Sequence, residues 1–177
     1  MSNKPVRLAR VVRAPAPALP PFEALDRTHR EMLLVLQQID ALVEHVAQNG
    51  CDEPARASAA EIHRFFAENA RQHHQDEERF IFPGLLSGSD VELIQHVRRL
   101  EQDHGWLEED WRELAPQIEA IAAGYNWYDL PLLRAALPVF TALYNEHIAL
   151  EESLIYPAAK RQAQTLKEGG KARHQSG

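Results

Sequence analysis

Four segments of this 177-residue chain repeat their apolar residues at steps of three and four, and each stripe is interrupted by histidine or by histidine and glutamate one turn apart. Steps of three and four line one face of an α-helix, so the stripes specify helices that must bury those faces against one another. The first stripe reads Phe22, Leu25, His29, Met32, Leu36, Ile39, Val43, Val46. The third reads Leu93, Val97, Leu100, His104, Leu107, Trp111, Leu114, Ile118, Ile121. The second, Ile62, Phe66, Ala70, His73, Glu77, Phe80, and the fourth, Leu133, Leu137, Phe140, Tyr144, His147, Glu151, Leu154, each insert a His and a Glu. No segment alternates with period two, which leaves no basis for a strand.

Turn signals divide the stripes into an all-α, up-down-up-down four-helix bundle. Asn49-Gly50 closes the first helix, and the second starts after Pro54 and stops at Pro83. Ser87-Gly88-Ser89 forms a turn, Ser89 or Asp90 caps the third helix, and Gly124 ends it. Asp129 with Pro131 starts the fourth, which Pro157 ends or kinks. Pro116 and Pro138 fall inside helical patterns and predict bends there.

The domain spans 22–160. Residues 1–21, with Pro5, Pro15, Pro17, Pro20, Pro21 and basic side chains, read as a disordered arm, and 161–177 as a flexible basic tail. Both ends are basic while the chain carries a net charge of −7, so the body is strongly acidic. An acidic body argues against binding nucleic acid, whose phosphates need clustered Lys and Arg. No apolar run of about 18 residues offers a membrane span, and the N-terminus lacks the apolar core of a secretory signal, which makes the cytoplasm the expected compartment. Cys51, the single cysteine, reads as an incidental surface thiol beside Asn49-Gly50, in keeping with a reducing compartment.

The chain also repeats itself. His73-His74-Gln75-Asp76-Glu77-Glu78-Arg79-Phe80-Ile81-Phe82-Pro83 aligns with His147-Ile148-Ala149-Leu150-Glu151-Glu152-Ser153-Leu154-Ile155-Tyr156-Pro157 at an offset of 74. At an offset of 75, Leu25 to His29 aligns with Leu100 to His104. The pattern describes two helical hairpins related by a pseudo-twofold, each supplying a lone His and then a His-x3-Glu. The distance to proline selects His73 with Glu77 over His74 with Glu78, because His147 and His73 each precede their proline by ten residues.

One histidine on an apolar face is ordinarily a hydrogen-bonded core residue. Four histidines and two glutamates at repeated inward spacings instead call for a common partner, since buried carboxylates and imidazoles are costly without one. Residues four apart share a helix face, so each His-x3-Glu is a chelating unit. His29, His73, His104 and His147 with Glu77 and Glu151 make a set suited to two metal ions bridged by two carboxylates. Donors without thiolate favour redox-active iron first, then manganese, then zinc. Glu78 and Glu152 belong beside this set, as solvated groups or as hydrogen-bond partners of the ligands.

These residues resemble the hemerythrin-like (HHE cation-binding) family, whose signature is a lone His, a His-x3-Glu followed by an aromatic and Pro, another His, and a second His-x3-Glu. The resemblance implies that the four histidines ligate iron, that Glu77 and Glu151 bridge, and that two iron ions with an oxo or hydroxo bridge meet dioxygen, peroxide or nitric oxide. Two departures from the oxygen carriers stand out: the last bridging carboxylate is Glu151, four residues after its His, and Leu100 and Glu108 flank His104 where a paired histidine would sit. A site poorer in nitrogen turns the expectation from oxygen transport toward binding, sensing or redox reaction, with His74 or Glu108 as a further candidate ligand. The alternatives are an iron-responsive regulator or metal buffer in which the metal is structural, and a peroxide- or oxygen-reactive catalyst. The iron-sulfur repair members of the family tend to carry a cysteine in the N-terminal segment, and residues 1–21 have none.

Overall fold

The computed structural model describes residues 22–174; the arm expected over 1–21 lies outside the described residues. Four helical rods follow in chain order. Helix α1 is Phe22–Asn49, α2 runs over 53–86, α3 is Val91–Ala122 and α4 runs over 130–174. Each boundary has a local cause. Gly50 adopts φ 77° just after α1, a conformation that only glycine takes without strain. Asp52 caps α2 by accepting from Ala55 N at 3.0 Å, Asp90 caps α3 through Leu93 N at 3.1 Å, and Asp129 caps α4 through Leu132 N at 3.0 Å. Gly124, at φ 75°, ends α3, with Tyr125 N reaching back to Ala120 O at 2.9 Å.

Helix α1 lies against α2 and α4, and α3 against the same two. With short connections, this is the antiparallel four-helix bundle expected from the stripes. Its core has two apolar compartments. One gathers Met32, Leu36, Ile39, Phe66, Leu107, Leu137 and Phe140 among others, and the second gathers Leu25, Ile81, Phe82, Val97, Leu100, Ile155 and Tyr156. Along every rod the His and Glu positions fall between the two. His29 sits between Leu25 and Met32, His104 between Leu100 and Leu107, and the His-Glu pairs lie just before Ile81 and Ile155. A polar layer therefore crosses the middle of the apolar core.

Two expectations need correction. Pro83 and Pro157 do not end their helices. In each copy of the repeat a wide π turn intervenes, Glu77–Ile81 and Glu151–Ile155, in which the N–H of Phe82 bonds Glu77 O and that of Tyr156 bonds Glu151 O. The widened turn admits one extra residue, so the rod continues past a proline that lacks the next donor. The same extra residue advances the inward face by one position: Ile81, Phe82, Ile155 and Tyr156 are buried, whereas Phe80 and Leu154 are only half-buried. Helix also extends beyond Pro157, through Tyr156–His174. Ala158 and Ala159 are buried, Gln162 Nε2 donates to Gly84 O at 2.9 Å, and Lys160 Nζ lies 3.5 Å from Asp26. The helix-forming run after Pro157 lacks a long apolar stripe, which is why its sequence reads as tail.

Pro116 and Pro138 both lie within continuous helix. Cys51 is half-buried, its thiol donating to Ile121 O at 3.1 Å, and so closes the end of α3. Among the described residues, no helix is long and apolar enough to cross a membrane.

Candidate metal centre

All six residues singled out by the stripes meet in the polar layer. His29, Glu77 and Glu151 are fully buried, and His73, His104 and His147 nearly so. His29 Nε2 lies 3.2 Å from Glu151 Oε2, and His73 Nε2 lies 3.4 Å from Glu77 Oε1. On the other side, His147 Nε2 is 3.2 Å from Glu151 Oε1, and His104 Nε2 is 3.5 Å from Glu77 Oε2. Each glutamate therefore turns one oxygen to the α1/α2 histidine pair and the other to the α3/α4 pair. Two donor clusters result: His29, His73, Glu77 and Glu151, and Glu77, His104, His147 and Glu151, each with ligand atoms within 4.8 Å of one another.

The atoms converge without satisfying one another. Both nitrogens of His73 and of His147, His104 Nε2, Glu77 Oε2 and both oxygens of Glu151 are buried without a hydrogen bond. An orphaned buried polar atom costs about 1–3 kcal/mol, and the lone pairs among these that face the glutamates fit a cation that accepts them. Imidazole and carboxylate donors without thiolate suit a first-row transition metal.

The histidines from α1 and α3 are held from the opposite hairpin. His29 Nδ1 lies 3.1 Å from Glu152 Oε1, and His104 Nδ1 lies 2.8 Å from Glu78 Oε1. A carboxylate at Nδ1 fixes the proton there and leaves the Nε2 lone pair facing inward. These are the two glutamates that the repeat places immediately after each bridging candidate.

His74 belongs to the site as well. It is buried, its ring stacks on His104 at a centroid separation of 4.1 Å, and His74, His104 and His147 form a third cluster of possible ligands. Glu108, the other extra candidate, stays away from the layer, exposed and 3.4 Å from Arg71. Two residues escaped the sequence reading. Asp103 is buried with Oδ2 3.8 Å from His147 Nδ1 and 3.7 Å from Arg99 Nε. Tyr156 places its hydroxyl 3.2 Å from His29 Nε2 and donates it to Glu77 Oε1. The signals were present but faint: an acid immediately before an inward His, and a tyrosine where the first copy has phenylalanine.

Burial and neighbouring charge pull the groups apart. Burial pushes Glu77 up to about 7, aided by the Glu151 charge. Burial also opposes ionisation of Glu151, but the flanking His147 and His29 outweigh it and hold Glu151 well below the usual carboxylate range. Burial would lower His147, yet Glu151 and Asp103 raise it to about 10. The same contest raises His29 and His104. Burial brings His73 down to about 3, with cationic His29 beside it, and keeps His74 well below the ordinary imidazole range. Perturbation of this kind, concentrated in one layer, marks a functional site.

The layer is reached from two sides. A cavity of about 510 Å³ between α2 and α3 touches His74 and His104 and is walled by Phe66, Leu107, Trp111 and Tyr144. A second, of about 670 Å³, reaches His73 past Leu25 and Thr28.

Comparison with known proteins agrees with this arrangement. A protein of Haemophilus influenzae described as uncharacterized is 28% identical over 134 residues, which cover 76% of each chain. The family model described as the hemerythrin HHE cation binding domain matches residues 21–159, which takes in every donor described above. With its four-helix bundle and central His/Glu layer, the chain belongs to the hemerythrin HHE cation-binding domain family.

Proposed function

We propose that this protein is a non-haem di-iron protein of the cytoplasm that binds, senses or reacts with dioxygen, peroxide or nitric oxide. The observation that carries the reading is the division of the donors into two clusters sharing Glu77 and Glu151. Two clusters with two common carboxylates fit a bridged pair of ions better than one. His29 and His73 would hold one iron, His104, His147 and His74 the other, and the two glutamates would span them. An oxo or hydroxo bridge completes the assignment, with manganese and zinc ranked below iron. Such a pair supplies one-electron chemistry toward small oxygen and nitrogen species.

The chain's own residues do the rest. Glu78 and Glu152 hold the tautomers of His104 and His29, so that these rings present Nε2 inward without rearrangement. The apolar compartments on both sides of the layer exclude bulk water, while the cavity beside His74 and His104 admits a small molecule. The net charge of −7 argues against nucleic acid as a partner, and the partner is a diatomic or a peroxide.

The direct test is metal content after purification, together with spectra of the iron-loaded protein before and after separate anaerobic additions of oxygen, peroxide and nitric oxide. His147→Ala and Glu151→Ala should each strip much of the metal. Wild-type stoichiometry in both would defeat the assignment. A second reading, an iron-responsive regulator or metal buffer, is favoured by the way the layer splits the core in two: occupancy of the layer joins both compartments across all four rods. Under that reading metal removal lowers the melting temperature steeply, whereas a preformed reactive centre keeps its fold. Steady turnover of peroxide with a reductant would instead favour a catalyst.

A further inference from the structure

Tyr156 and Phe82 are equivalent by the 74-residue repeat, and their rings pack alike. Tyr156 stacks on His29 with centroids 5.2 Å apart and planes 8° from parallel; Phe82 stacks on His104 at 5.6 Å and 18°. Phe82 shows that this packing needs no hydroxyl. At position 156 one is nevertheless carried into the layer, where Glu77 Oε1 accepts its hydrogen bond. Its oxygen lies 3.2 Å from His29 Nε2 and against Glu77 Oε1, and that same His29 nitrogen lies 3.2 Å from Glu151 Oε2. Adjacent ligand atoms around a first-row metal, at bond lengths of roughly 2.0–2.2 Å, sit about 3 Å apart.

The other half of the layer carries its own addition. His74 joins His104 and His147 there, and its equivalent in the second copy is Ile148. Each half thus has one donor that the other lacks, an imidazole in one and a phenol in the other.

We propose that Tyr156 is a phenolate ligand of the ion held by His29, His73, Glu77 and Glu151. The inference rests on the metal-pair reading above. Coordination replaces the Tyr156 O–H bond by an oxygen–metal bond, the proton leaves to solvent, and no electron moves. The two metal positions are then chemically distinct, one with two imidazoles and a phenolate and the other with three imidazoles.

The test is the visible spectrum of the ferric protein, with resonance Raman excited in the band. Wild-type protein and Tyr144→Phe should both show an intense phenolate-to-iron charge-transfer band carrying phenolate ring modes. In Tyr156→Phe the band should fall to baseline while iron remains bound. A band that survives in Tyr156→Phe, or vanishes in Tyr144→Phe, overturns the assignment. So does an iron-loaded wild type without the band, and in that case the metal-pair reading survives. A wild type that takes up no iron defeats both. Should Tyr156→Phe fail to fold, the other two proteins still decide, because Tyr144 and Tyr156 are the buried tyrosines of the described chain.

Discussion

Glu152→Ala and Glu78→Ala separate metal binding from folding, because each carboxylate holds a histidine of the opposite hairpin without entering the donor clusters. Glu152 fixes His29 through Nδ1 at 3.1 Å, and Glu78 fixes His104 through Nδ1 at 2.8 Å. Both carboxylates are about half exposed, 49% and 47%. Exposure limits what either pair adds to the stability of the metal-free fold to about 1 kcal/mol or less, a melting shift of roughly 2–4 °C for a chain of this size. The effect on metal is larger. Without the Nδ1 partner the imidazole can take the other tautomer and rotate away from the inward direction, and removing such a partner typically costs 10–100-fold in metal affinity, about 1.4–2.8 kcal/mol. The losses should also be local, with Glu152→Ala weakening the ion at His29 and Glu78→Ala the ion at His104. A glutamine carbonyl still accepts from the ring N–H, so Glu152→Gln and Glu78→Gln should lose less than their alanine counterparts. Competition with a metal chelator gives the affinities, and thermal melting of the metal-free variants gives the stabilities. Alanine variants that bind both ions within threefold of wild type would refute the reasoning, as would melting losses large enough to account for the weakened binding.

The remaining predictions concern the donors and the core. His74→Ala should weaken the ion at His104 and His147 by tenfold or more while leaving the ion at His29 and His73 nearly unchanged, as read by stepwise metal titration. Ligating imidazoles must be neutral, and in the metal-free protein His29, His104 and His147 hold their protons above the ordinary range, His147 up to about 10. Protons therefore compete with metal well above pH 6.5, so affinity should keep rising as pH increases from 6.5 toward 10 and fall steadily on acidification. Calorimetric titration in buffers of different ionisation enthalpy should find protons released on binding at pH 7.5; no release would contradict the raised imidazoles. Leu100, fully buried in the compartment beyond His104, should cost about 2–5 kcal/mol on Leu100→Ala, measured by denaturant unfolding.

What could be read from the sequence was set by periodicity. The step of three and four brought His29, His73, Glu77, His104, His147 and Glu151 to inward positions, and the structure gathers all six into one layer. The caps were equally plain, because Asp90, Asp129, Gly50 and Gly124 act within one turn of themselves. Longer-range partners were not. Asp103 and Tyr156 matter through residues on other rods, His147 on α4 for one and His29 and Glu77 for the other, and a one-dimensional pattern does not report which rods face each other.

The widened turns at Glu77–Ile81 and Glu151–Ile155 show why the reading slipped one residue past each bridging candidate. A stripe counted at 3.6 residues per turn assumes an unbroken ladder, and it placed Phe80 and Leu154 inward. The proline six residues after each glutamate was visible, but its remedy was not: it can end a helix, kink it, or be absorbed by one wide turn. Only packing chooses among these. Here the turn lets the same rod point a glutamate into the layer and then, five residues later, lay an aromatic ring on the histidine of the opposite hairpin, Phe82 on His104 and Tyr156 on His29. With an unwidened turn, residues 82 and 156, five after their glutamates, would fall about 140° away from the inward face, and neither ring would follow its glutamate into the core. The wide turn thus lets two residues five apart serve one site, and its occurrence at the same place in both copies ties it to the centre they share.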